Sequence, residues 1–130
     1  MTKIASGYTV GSPFDPETKL GPLISAHQMD RVLSCMDTGR GEGATLRLGG
    51  SRVGEVGNFV QPTAFSGVSN AMTIAREEIF GAVLSIIPFK DEQDAVFQGN
   101  DAAYGLAAAL WTRNASRAHR VARALKTGRV

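Results

Sequence analysis

The sequence predicts an α/β fold, a partial doubly wound and mostly parallel sheet with flanking helices. Three observations predict it. Val83-Leu84-Ser85-Ile86-Ile87 is a nearly continuous β-branched and apolar run, which suits a strand covered on both faces. Leu106 to Trp111 reads as a second buried strand, and each run is followed by a segment that opens on a helix-capping residue, Asp91 and Asn114. The resulting β-α-β-α order favours parallel strands joined by right-handed helical crossovers, with the helices packed on the sheet.

The elements follow in chain order. Tyr8 to Pro22 is turn-rich, with Pro13, Pro16 and Pro22 opposing regular hydrogen bonding, and is read as an ordered loop. Ser25 and Gln28 have capping-box spacing, and Met29, Val32, Leu33 and Met36 repeat at i, i+3, i+4 and i+7, so a helix is expected from Ser25 to Thr38. Gly39, Gly41 and Gly43 are expected to end it. Alternating Ala44, Leu46 and Leu48 suggest a short strand, and Asn58 to Phe65 another extended piece that Pro62 assigns to an edge or an irregularity. Val83 to Ile87 is the expected central strand. Asp91 caps a helix to about Asn100, and Asn114 caps one whose apolar line is Ala118, Val121, Ala122 and Leu125, with Gly128 as its stop. Arg129-Val130 would begin a further strand.

Composition bounds the function classes. With 130 residues, 43% apolar and 20% charged, the chain has ordinary globular composition and is read as a single partial domain, 1–130. A formal charge of +2 does not by itself call for nucleic acid or an acidic membrane. After Asp101 there is no acid, while Arg113, Arg117, Arg120, Arg123, Lys126 and Arg129 follow, so the last helix has a basic face, read as solvated. No apolar run approaches the roughly 20 residues of a membrane span, and the amino terminus lacks the apolar core of a signal peptide. A single cysteine, Cys35, excludes an internal disulfide and fits a reducing compartment. The cytoplasm is the expected location.

Candidate chemistry is sparse. Cys35 is the only thiol, but it falls within the expected helix, and His27 stands about 12 Å away along the axis at about 1.5 Å per residue, too far for a direct nucleophile-base pair. Packing is its expected role. Gly39-Arg40-Gly41-Glu42-Gly43 resembles a phosphate loop in composition, yet follows a helix and precedes a strand, the reverse of the order that puts phosphate at a helix N-terminus. His27 and His119 lack carboxylates at ligand spacing, so no metal site is assigned. Glu77, Glu78, Phe80 and Gly81 stand just before a buried strand, where loops commonly hold ligands. One carboxylate could face a ligand with Phe80 flat against a ring. The plainer reading is two solvated acids and a core Phe80, and spacing alone favours it.

Several motifs change that balance together. Val10-Gly11-Ser12-Pro13-Phe14-Asp15-Pro16, Gly21-Pro22-Leu23-Ile24-Ser25, Gln61-Pro62-Thr63, Glu77 to Val83, and Tyr104-Gly105-Leu106-Ala107-Ala108 resemble, in order and spacing, the NAD(P)-dependent aldehyde dehydrogenase superfamily. The resemblance spans nearly the whole chain and implies the middle-to-late part of the catalytic domain. In the family a cysteine thiolate adds to the aldehyde, hydride passes to NAD(P)+, and a glutamate-activated water hydrolyses the thioester. Both catalytic motifs would lie upstream of this segment, so no catalytic residue is assigned. What the resemblance carries over is Glu78, which would accept hydrogen bonds from the nicotinamide-ribose hydroxyls of NAD or NADP, and Phe80, which would sit near the nicotinamide. Where the family usually has proline, this chain has Ala82. Alanine frees the backbone dihedral and restores an N–H, so the loop is expected to be looser.

The resemblance implies a segment of an oxidoreductase that oxidises aldehydes to carboxylic acids, inactive alone. A small-molecule aldehyde would be the partner of the complete enzyme, with homo-oligomers or association with a full-length dehydrogenase as further partners. The alternative is a non-enzymatic assembly or binding module, including one that uses the basic helix with Arg117 and Arg120.

Overall fold

Apolar periodicity forms the first long element. In the computed structural model, which describes residues 2–130, helix α1 spans Thr2–Ala5 and α2 spans Ala26–Gly41. Ser25 caps α2, its hydroxyl accepting from the Gln28 N–H at 3.1 Å, and Met29, Val32 and Met36 are buried along one face. The helix runs past the expected stop at Thr38. Gly39 and Gly41 lie inside it, and Gly43, with φ of 98°, follows its end. Gly39 is required there for closeness rather than for ending the helix, since a Cβ at this position would stand 2.7 Å from Ile74 Cγ2.

Three short strands follow, β1 at Thr45–Leu48, β2 at Thr63–Ser66 and β3 at Val83–Ser85, with α3 at Thr73–Arg76 between the last two. The sheet order is β1-β2-β3. β1 pairs antiparallel with β2, Leu46 opposite Phe65, and an irregularity falls between Leu46 and Leu48. β2 pairs parallel with β3, Ala64 opposite Leu84. The α/β class with helices beside a sheet is observed, and the sheet among the described residues is mixed.

Two expectations about strands are corrected. Val83 to Ile87 is not the central strand: β3 lies at the sheet edge, and Leu84 is exposed. The centre is β2, whose Thr63, Ala64 and Phe65 are all buried. Pro62 does not mark an edge, because it stands before the first strand residue and so removes no ladder donor; the next N–H, of Thr63, donates to Ala82 O at 2.8 Å. The polar Thr63 is tolerated in the centre because its hydroxyl accepts from Gly50 N and donates to Gln61 O, which meets the requirement that buried polar groups find partners. The core is formed by Met29, Val32, Met36, Val60, Phe65 and Val68 with Ile74 and Ile79 closing it from the α3 side.

The chain divides into two compact units, Met1–Ile87 and Pro88–Val130. The second contains α4, Glu92–Asn100, and α5, Ala115–Ala124. Asp91 caps α4 by accepting from Asp94 N, and Asn114 caps α5 by accepting from Arg117 N, as their sequence positions imply. Ala118, Val121, Ala122 and Leu125 are the half-buried line of α5 and its end. The expected strand from Leu106 to Trp111 is not formed. Gly105 O accepts from Gly128 N and Ala108 N donates to Arg129 O, but Leu106 is 83% and Trp111 89% exposed. A run apolar on both faces becomes a buried strand only when layers cover it, and neither helix of this unit buries a residue.

Candidate functional site

The loop between α3 and β3 contains both predicted contact residues, and three separate attachments hold it. Ile79 inserts its side chain into the core. Gly81 lies so close to α2 that a Cβ there would stand 2.8 Å from Val32 Cγ2, so only glycine fits without displacing a core residue. The Gln28 side-chain amide donates to Ile79 O at 2.8 Å and to Phe80 O at 3.1 Å. The box foreseen from Ser25 and Gln28 is thus half formed: the serine caps the helix, while the Gln28 side chain turns away to the loop.

Phe80 has φ of 54° and is the one non-glycine residue with positive φ among the described residues. For a bulky side chain this left-handed conformation costs about 1–3 kcal/mol and persists only where its surroundings over-determine it. Its ring is 71% exposed, so the plainer sequence reading of Phe80 as a core residue is not observed. Glu78 is half-buried, and its carboxylate accepts no hydrogen bond among the described residues. Glu77, by contrast, is exposed and lies 3.7 Å from the Arg31 guanidinium. The adjacent carboxylates therefore have different surroundings. A half-buried carboxylate with unused acceptor oxygens fits a group bearing hydroxyls, and an open aromatic face fits a flat ring.

Downstream, Thr63 N donates to Ala82 O, and Val83 N donates back to Gly81 O at 2.8 Å. Ala82 N itself donates no hydrogen bond among the described residues, so the N–H that alanine restores relative to proline is not used to hold the loop. An open, apolar cleft lies beside this stretch, lined by Tyr8, Leu20, Pro62, Ala64, Ala82 and Leu84. Glu78 and Phe80 are not part of its lining.

The other sequence candidates have structural roles. Cys35 is half-buried and packs against the core, while His27 on the same helix is exposed. The glycine-rich stretch at the end of α2 is a tether: Arg40 donates to Gly50 O, and the Glu42 carboxylate accepts from both the N–H and the hydroxyl of Thr73, at 2.7 and 2.6 Å. Helix α3 has no capping side chain of its own, so Glu42 supplies the negative charge that its N-terminus favours. Among the described residues no group of His, Cys, Asp and Glu could hold a metal ion. Among the described residues no helix is long and apolar enough to cross a membrane.

The basic face of α5 is partly engaged. Glu92 on α4 accepts from Arg117 Nε at 3.1 Å and from Arg120 Nη2 at 2.8 Å. The hydrogen bond from Arg120, with the charges of both guanidiniums, holds the Glu92 carboxyl below its ordinary pKa, and Arg120 is correspondingly raised.

Gln28 and Glu42 escaped the sequence reading as loop-holding residues. Each reaches a partner far along the chain, and the only local signal was the helix-cap spacing of Gln28.

Comparison with known proteins agrees over the whole chain. Residues 1–130 match the model of the aldehyde dehydrogenase family. An aldehyde dehydrogenase of Rhodospirillum rubrum is 50% identical over 125 residues, covering 92% of this chain and 24% of that protein. The crystal structure of the aldehyde dehydrogenase KauB from Pseudomonas aeruginosa superposes with a TM-score of 0.97 at 51% identity, covering 99% of this chain and 26% of that one. An indole-3-acetaldehyde dehydrogenase solved with NAD+ superposes equally well, at 0.97 and 46% identity, over 99% of this chain and 26% of its own. The chain thus spans about a quarter of the length of the relatives it matches.

Proposed function

The chain belongs to the aldehyde dehydrogenase family, and from that premise we propose that residues 1–130 are the middle-to-late part of the catalytic domain of an NAD(P)-dependent enzyme that oxidises aldehydes to carboxylic acids. The cofactor, NAD or NADP, supplies the hydride acceptor when bound. The contribution of this segment is positional. Glu78 accepts hydrogen bonds from the ribose hydroxyls and Phe80 flanks the nicotinamide, which restricts the ring to the orientation that transfer requires. The observation that supports this is the unpaired Glu78 carboxylate beside the exposed, left-handed Phe80.

Positioning alone does not oxidise an aldehyde. Cys35, the chain's single thiol, is packed against the core, so the purified 130-residue chain, mixed with aldehyde and NAD+ or NADP+, is expected to form no reduced cofactor. Sustained turnover by the isolated chain overturns that expectation. The positional role is tested by substituting residues 1–130 for the matching quarter of a relative such as KauB. Glu78→Gln in that chimaera should weaken cofactor binding by about tenfold, the scale of one charge-assisted hydrogen bond. Unchanged cofactor affinity would remove Glu78 from the site.

A second reading is favoured by the exposed Leu106 and Trp111: a non-enzymatic assembly module that docks on a full-length dehydrogenase. Co-purification with such an enzyme, lost on Trp111→Ser, supports it. The version that uses the basic helix for nucleic acid is less favoured, because Glu92 already engages Arg117 and Arg120.

A further inference from the structure

We propose that Glu42 is a positioning residue for the cofactor site, acting on Glu78 through Thr73 and the single turn of α3 without touching cofactor, a role that rests on the cofactor reading of Glu78 and deepens it. Thr73 has three polar groups, and all three are used. Its N–H and hydroxyl donate to separate oxygens of the Glu42 carboxylate, at 2.7 and 2.6 Å, while its carbonyl accepts from the Glu77 N–H at 3.0 Å. Glu77 stands directly before Glu78. One residue therefore joins the Glu42 carboxylate to the backbone that presents the carboxylate of the site. Hydrogen bonds to a charged acceptor are the stronger kind, and two of them fix Thr73 in orientation as well as in place.

Helix α3 cannot hold itself. It has four residues, and its N-cap, Met72, supplies no side-chain hydrogen bond, whereas a helix this short does not repay the cost of its own nucleation. What fixes it comes from outside. Ile74 is buried in the core close against Gly39 of α2, and Ser85 Oγ on β3 donates to Ile74 O at 3.0 Å. These contacts secure the middle of the turn, but they leave the Thr73 carbonyl, which meets Glu77, to be set by Glu42. Glu42 is itself well anchored: it caps α2, its N–H donates to Thr38 O at 2.9 Å, and Met36 of the same helix is wholly buried. Without the carboxylate, Thr73 turns about the Ile74 anchor and its carbonyl leaves the Glu77 N–H. The half-buried Glu78 then shifts while Ile79 stays in the core.

The test uses Glu42→Ala, which removes both acceptors, and Glu42→Gln, which keeps the length of the side chain and one oxygen for the Thr73 N–H. In the 130-residue chain, hydrogen exchange at the Glu77 amide should quicken by about tenfold in Glu42→Ala and by less in Glu42→Gln, with the β2 and α2 core amides unchanged. Unchanged exchange at Glu77 overturns the proposal, as does a loss of β2 and α2 protection together, which marks Glu42 as a residue of general stability. In the chimaera with KauB, Glu42→Ala should raise the KM for NAD+ or NADP+ about fivefold with kcat within about twofold, a size that residues acting on a ligand they do not touch can reach. Glu42→Gln should recover most of that loss. The decisive measurement is the double variant. If Glu42 acts through Glu78, Glu42→Ala adds no further rise in KM once Glu78→Gln is in place, whereas independent effects add in full and overturn the proposal. If Glu78→Gln weakens the cofactor but Glu42→Ala does not, the positioning role is wrong and the cofactor reading stands. If Glu78→Gln has no effect, the cofactor reading fails, and the role of Glu42, which depends on it, fails too.

Discussion

Among the described residues of Met1–Ile87 ten hydrophobic side chains are buried, from Met29 to Ile79, whereas in Pro88–Val130 none is buried, and Phe89, Phe97, Leu106 and Trp111 are exposed. The two stretches do not differ in having apolar residues. They differ in whether a sheet exists to gather them. In the first unit, β2 has partners on both sides and a helix face against it, so Phe65 and Val32 are wholly covered. In the second, two helices meet through polar contacts: Glu92 with Arg117 and Arg120, and Asn100, which donates to Ala124 O and accepts from Lys126 N. Burial of apolar surface is the dominant stabilising term, while exposed ion pairs contribute about 0–1 kcal/mol. The first unit should therefore hold its structure under conditions that open the second.

The largest expected effect separates the two directly. Phe65→Ala should destabilise Met1–Ile87 by about 3–5 kcal/mol, the range for truncating a buried phenylalanine, measured by urea titration of β2 and α2 amides. Trp111→Ala, although it deletes a larger ring, should change stability by less than about 0.5 kcal/mol, as surface substitutions do. Equal effects would erase the contrast.

A smaller effect tests how closely the first unit is packed at the site. Gly81→Ala drives a methyl into Val32 and should cost about 1–3 kcal/mol, the usual range for overpacking, in the same titration. A neutral Gly81→Ala would mean that the loop can lift away from α2 without loss.

The smallest effect is electrostatic and confined to the second unit. Glu92 is depressed when folded, so its stabilising contribution is fully present above its ordinary value of 4.5 and fades as pH falls below that toward the folded value. Asp94, held down chiefly by a hydrogen bond with Gln98 and then by the Lys90 N–H, acts the same way below 3.8. Acidification from about pH 6 to about pH 3 should expose α4 and α5 amides to exchange before those of α2. Glu92→Gln should flatten that dependence, and α2 opening first would contradict the ordering.

What could be read from the sequence divides along a related line. Caps are local, so Ser25, Asp91 and Asn114 were legible from their own neighbours, and so was the apolar line of α2. Strand order depends on partners far along the chain. Val83 to Ile87 looked central because its residues are apolar, but centrality belongs to Thr63–Ser66, which the preceding Pro62 made look peripheral or irregular. Leu106 to Trp111 has strand composition without the cover that would make it one. At the site, the family motif pointed to Glu78 and Phe80. Neither the left-handed turn at Phe80 nor the amide reaching it from Gln28 could be read there, because phenylalanine has no preference for that conformation and the two residues meet only when α2 and the loop pack.

The exposed position of Trp111 has a practical consequence. It is the chain's single tryptophan, and it stands where no core forms. Its fluorescence should be that of an indole in water from the outset, so unfolding of the Phe65 core will pass almost unseen in emission wavelength. The same indole becomes a sensitive reporter of anything that covers it. A shift to the blue on mixing with another protein would signal docking on this face, read without a label.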